Sequence, residues 1–164
     1  MSLRWLLVAL ALALAPATVA AQIAPPTSGD VEPSEIVRIL QAMGRSGELK
    51  FDKDGEPEIA GRSQNFNFLI FFYDCPKQQQ PLRCRSYQFW ATFHDLKEPP
   101  TVEHINRWNE TKRLAQASMG PNGHYRLKMN VNPRGADIDV SFRAYMAWWD
   151  LAVKEYTQHI GFSK

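Results

Sequence analysis

The run Asn65-Phe66-Asn67-Phe68-Leu69-Ile70-Phe71-Phe72-Tyr73 and, after a polar loop bounded by Cys75 and Cys84, the run Tyr87-Gln88-Phe89-Trp90-Ala91-Thr92-Phe93 decide the fold. If the two cysteines face each other across an antiparallel pair, Phe72 meets Tyr87, Ile70 meets Phe89, Phe68 meets Ala91 and Phe66 meets Phe93. Side chains alternate along a strand, so these eight residues share one face. A slip of one residue would mix polar and apolar positions across the ladder. The cysteines and the hydrophobic pattern therefore specify the same register.

The opposite face of this hairpin carries Leu69, Phe71, Tyr73 and Trp90 beside Asn65, Asn67 and Gln88. A strand pair with large residues on both sides belongs at the centre of a sheet covered on both faces. The alternative is a second face that is half open, to solvent or to a partner.

The N-terminus reads as a targeting segment. Arg4 supplies the positive start, Leu6 to Ala15 the apolar run and Val19-Ala20-Ala21 the small residues of a cleavage site, so residues 1–21 are expected to be a signal peptide. The apolar run is about half the ~20 residues that a bilayer-spanning helix requires. Residues 22–33, with the Pro-, Ser- and Gly-rich tract from Ala24 to Pro33, are expected to form a flexible lead-in to one domain over 34–162. In an exported protein, two cysteines at a hairpin mouth read as a disulfide. Closing so short a loop contributes about 2.5–3 kcal/mol on the chain-entropy argument. The spacing is wrong for a C-x-x-C pair, and no histidine adjoins either cysteine.

Of 19 Lys and Arg residues one is Arg4, and 17 Asp and Glu oppose them, so the domain is nearly neutral. No basic run is interleaved with aromatics, which argues against nucleic acid or an anionic membrane surface as partner.

The remaining elements follow from periodicity. Ile36, Ile39, Leu40 and Met43 form the stripe of a helix over Pro33 to Met43, with Gly44 at its C-terminal end. Leu49 to Phe51 and Pro57 to Gly61 read as short strands around the turn Asp52-Lys53-Asp54-Gly55. That turn lacks the glycine position and later oxygen ligands of a calcium loop. After Pro99-Pro100, Thr101 caps a second helix with Val102, Ile105 and Trp108 expected to face inward. Asn106 and Asn109 lie on an adjoining strip, suited to bonding loop backbone or a ligand. Asn109-Glu110-Thr111 also fits a glycosylation acceptor.

Leu114–Met119 and His124–Val131 form a second hairpin. The last helix spans Asp139 to Ile160 and buries Phe142, Tyr145, Met146, Trp149, Ala152, Val153, Tyr156 and Ile160. Trp148 and Leu151 fall off that stripe and are candidates for a partner or dimer contact.

Asp52-x-Asp54-Gly55 with Pro57, Asn65-Phe66, the Cys75/Cys84 pair before an aromatic strand, and Ile105-Asn106-x-Trp108-Asn109 together resemble the YbjN family, over about Ser34 to Ile160. The resemblance implies an α+β fold akin to the type III secretion chaperones. It predicts a twisted antiparallel sheet of five to six strands with three helices packed on it, in the order α-β-β-β-β-α-β-β-α. It also implies a role in bacterial sensory transduction with no established enzymatic activity. Many relatives lack a signal peptide, so a cytoplasmic role does not transfer to this chain.

His94, His104, His124 and His159 are scattered, and none is paired at i, i+4 as a helical zinc site requires. No Gly-rich phosphate loop, nucleophile elbow or HExxH string occurs. The expectation is a non-enzymatic domain, periplasmic or secreted, without cofactor or metal and without membrane contact after cleavage. It binds a protein or peptide, or a second copy of itself, through Phe71, Trp90, Trp148 and Leu151. The alternative is a small-ligand sensor or an enzyme using the Asn106/Asn109 region and the Asp52–Gly55 turn.

Overall fold

A computed structural model describes residues 29–63 and 66–162 of the chain. The expected signal peptide, residues 22–28 of the lead-in and Asn65 lie outside the described residues. The elements are α1 (Pro33–Ala42), β1 (Ser46–Phe51), β2 (Pro57–Ser63), β3 (Phe66–Tyr73), β4 (Ser86–Phe93), α2 (Val102–Thr111), β5 (Gln116–Met119), β6 (Tyr125–Val131) and α3 (Ile138–His159). Their order is the expected one. The six strands form one sheet in the order β1-β2-β3-β4-β6-β5, every pair antiparallel.

The β3–β4 register is the one that the cysteines and apolar pattern require: Phe72 faces Tyr87, Ile70 faces Phe89 and Leu69 faces Trp90. Farther along, the rings of Phe66 and Phe93 lie 6.2 Å apart. Cys75 and Cys84 form the disulfide, with their Cα atoms 4.1 Å apart.

All three helices cover one side of the sheet. Ile59, Phe68, Ile70, Phe72, Tyr87, Phe89, Ala91, Phe93, Tyr125, Leu127, Met129 and Val131 are buried on that side. Onto them α3 lays Phe142, Met146, Trp149, Val153 and Tyr156. The Phe89 ring stacks on Trp149 at 5.4 Å and on Phe142 at 5.8 Å. At about 1.5–3 kcal/mol for each large side chain removed from water, this stripe is the main stabilising contribution of α3. Near the β1 edge, Gly47 faces Gly61. A Cβ on Gly61 would come within 2.4 Å of the Phe68 ring, so this glycine makes room for an aromatic core residue.

Two expectations are corrected. Val102 is 62% exposed, while Ile105 and Trp108 are buried. The inner strip of α2 is turned by His104, whose ring stacks on His159 of α3 at 4.1 Å. At 100° per residue Val102 then lies about a third of a turn from the centre of that strip. The end of the expected lead-in, residues 31–33, is also fixed in the fold. Val31 is buried and pairs with Cys84, N–H to O at 2.8 Å in both directions, and Pro33 is already the first residue of α1.

Candidate partner-binding face

Among the described residues no helix lies on the other side of the sheet, and the hairpin's second face is half open. The registers align its side chains in rows that cross the sheet. One row runs Glu48, Ala60, Leu69, Trp90, Lys128, Gln116. Its neighbour runs Lys50, Glu58, Phe71, Gln88, Asn130. Leu69, Phe71 and Trp90 are half-buried there. Phe71 and Trp90 meet edge to face at 5.7 Å.

Lys128 Nζ sits 4.1 Å from the Trp90 ring centroid and Arg126 Cζ 5.4 Å from it, both placed for cation–π attraction. The indole N–H of Trp90 donates to Thr92 Oγ1 at 2.9 Å and fixes the ring. The Tyr73 hydroxyl donates to Gln88 Oε1 at 3.3 Å. Partial burial pushes that phenol above its ordinary 10.0. A groove of about 630 Å³ lies over Ala60, Leu69 and Trp90, bordered by Glu48, Arg62, Asn67 and Thr92.

The four residues singled out for partner contact therefore divide between two surfaces. Phe71 and Trp90 are together on the open face. Trp148 and Leu151, 44% and 49% exposed, lie on the solvent side of α3, across the molecule. There Trp148 touches only its helical neighbour Tyr145 among the ring contacts of the described residues, at 5.4 Å.

The motif residues have local bonding roles. The Asp52 carboxylate accepts from the N–H groups of Asp54 and Glu56, each at 2.9 Å, and Gly55 takes φ +78°. Lys77, inside the disulfide loop, donates to Asp54 O at 2.7 Å and pairs with Glu56 at 3.0 Å. The indole N–H of Trp108 donates to Ala115 O at 2.9 Å. Asn109 Nδ2 donates to Ala117 O at 3.0 Å, and its Oδ1 accepts from Ala117 N–H at 2.8 Å. Asn106 is exposed. The turn adjoins β1 and α2 packs on β5, at opposite edges of the sheet, so no single pocket contains both.

Two arrangements had no sequence signal. His104 Nε2 lies 2.6 Å from His159 O and His159 Nε2 lies 2.8 Å from His104 O. A carbonyl only accepts, so each ring donates from Nε2. Arg45 Nη1 donates to Asp150 Oδ1 at 3.1 Å and to Ser63 Oγ at 2.6 Å, while Ser63 donates to Asp150. These polar groups join the loop before β1, the end of β2 and α3.

Among the described residues no group of three or more His, Cys, Asp or Glu could hold a metal ion. No described helix is long and apolar enough to cross a membrane. Among curated proteins no sequence matches the chain. The YbjN family profile, described as "Putative bacterial sensory transduction regulator", matches residues 32–162. That span takes in every helix and strand described above, and the chain belongs to the YbjN family.

Proposed function

We propose that this YbjN-family protein is an exported, non-catalytic module that binds a protein or peptide segment on the open face of its sheet, in the manner of a chaperone or a regulatory receptor. The observation that carries this is the uncovered row Ala60–Leu69–Trp90 with Phe71 beside it, on a sheet whose other side already holds all three helices. Apolar area left open in this way marks an interaction surface. The occupant follows from the frame. Arg126 and Lys128 stand at the Trp90 end of the groove, and Arg62 lines it from β2. That arrangement suits a segment with an aromatic or aliphatic side chain next to carboxylates. Export is supported by the N-terminal sequence pattern and by the disulfide.

The test is a peptide array that varies acidic and aromatic content, with hits measured by calorimetry. Segments combining both features should bind, and Lys128→Glu or Trp90→Ala should weaken them about tenfold or more. No binding across the array, or binding that survives both substitutions, would remove this reading. So would a melting temperature raised by small metabolites in a way that tracks Asn106 rather than Trp90.

A further inference from the structure

The two edges of the sheet are treated differently. At the β5 edge, the Asn109 amide bonds both the N–H and the C=O of Ala117, so the outward backbone groups of that residue are already satisfied. Among the described residues nothing covers the β1 edge in this way. Its outward groups can be assigned. Asp52 N–H bonds Glu56 O at 3.0 Å, which makes the 52/56 rung a hydrogen-bonded one. Bonding alternates along an antiparallel ladder, so Lys50 and Glu48 also turn their backbone towards β2. Pro57, opposite Phe51, has no N–H to give and fits the non-bonded rung. Gly47, Leu49 and Phe51 therefore present N–H and C=O to the open edge. Phe51 is 58% exposed there.

We infer that β1 pairs with β1 of a second copy, antiparallel about a two-fold axis through Leu49. Three registers preserve side-chain direction near the strand centre, and charge selects among them. An axis through Glu48 sets Glu48 against its own copy, and an axis through Lys50 sets Lys50 against its own. Both place like charges directly opposite, which is destabilising. The axis through Leu49 sets Glu48 against Lys50 twice, and these two side chains already pair within one strand at 3.1 Å. The four charges then alternate in sign.

On the helix side, Leu49 meets Leu49 and each Phe51 lies opposite the partner's Gly47, beside the Leu40 side chain that covers that glycine. Two six-stranded sheets become one continuous sheet, with both open faces on the same side. This inference concerns the strand edge and stands apart from the peptide-binding reading, since a dimer forms or fails whether or not Trp90 meets a ligand.

Light scattering after size exclusion, over a concentration series of the purified protein, tests it. A species of twice the protomer mass is expected at high concentration. Glu48→Lys should weaken dimerisation about tenfold or more, and Glu48→Lys with Lys50→Glu should restore it, because opposite charges again face each other. In the wild type, hydrogen exchange at the amides of Gly47, Leu49 and Phe51 should slow as concentration rises. A monomer at every concentration overturns the inference. So does a dimer indifferent to both charge variants, or one dispersed by Trp148→Ala while Glu48→Lys leaves it intact.

Discussion

The side-chain amide of Asn109 exchanges two hydrogen bonds with the backbone of Ala117, at 2.8 and 3.0 Å, and so takes the place of a neighbouring strand at the β5 edge. Ala117 is buried, so its N–H has no easy recourse to water once the amide is gone. Asn109→Ala should cost about 1–2 kcal/mol, the penalty for leaving such a group unpaired. Asn109→Asp should cost at least as much, because it turns an acceptor against the Ala117 carbonyl. Asn106→Ala, on the same helix but exposed, should stay within about 0.5 kcal/mol. Urea denaturation with hydrogen exchange at Ala117 reads all three. Equal effects at positions 106 and 109 would deny Asn109 its edge role.

Closing the Cys75–Cys84 loop, nine positions in span, should contribute about 2.5 kcal/mol on the chain-entropy argument. The structure adds a local consequence. Val31 bonds Cys84 in both directions, so the disulfide also anchors the entry to α1. Reducing agent should lower the urea midpoint and speed exchange at the Val31 amide before the sheet amides respond. An unchanged midpoint would mean that the sulfurs add nothing to stability.

The hairpin register was readable because two independent signals, the cysteines and the period-two apolar pattern, select the same pairing of Ile70 with Phe89. The α3 stripe was readable because one periodicity places Phe142, Met146, Trp149 and Tyr156 together. Val102 was misplaced because the face of α2 is set by a contact between His104 and His159, 55 positions apart, which no local pattern encodes. The Arg45–Asp150 pair spans 105 positions and was invisible for the same reason. On the candidate face, the sequence placed Phe71 and Trp90 on one side of a strand pair. That this side is uncovered depends on where all three helices pack, which single-strand patterning leaves open.

The Arg45–Asp150 pair retains 22% and 16% side-chain exposure, and both partners bond Ser63. Asp150→Ala leaves a part-buried guanidinium and the Ser63 hydroxyl without their acceptor, and should cost about 2–3 kcal/mol. Arg45→Ala should cost a similar amount. The double substitution should cost less than the two added together, with a coupling of about 1–2 kcal/mol in a double-mutant cycle. Strict additivity would show that the three groups act independently.

Tyr87 and Tyr156 are buried in the core, and neither hydroxyl has a hydrogen-bond partner among the described residues. Burial, reinforced by Tyr145 for Tyr87 and by Tyr125 for Tyr156, pushes both phenols far above their ordinary 10.0. In the unfolded chain they ionise near that value; in the folded protein they stay neutral. Their contribution is therefore complete below pH 10 and is lost as pH rises beyond it, by about 1.4 kcal/mol per pH unit for each tyrosine. Tyr87→Phe and Tyr156→Phe should each flatten the alkaline limb of a stability–pH curve. At neutral pH each should be neutral to mildly stabilising, because the substitution removes a buried hydroxyl with no partner. Urea unfolding from neutral to strongly alkaline pH provides the curve. An alkaline limb of unchanged steepness in the double variant would show that other groups govern unfolding there.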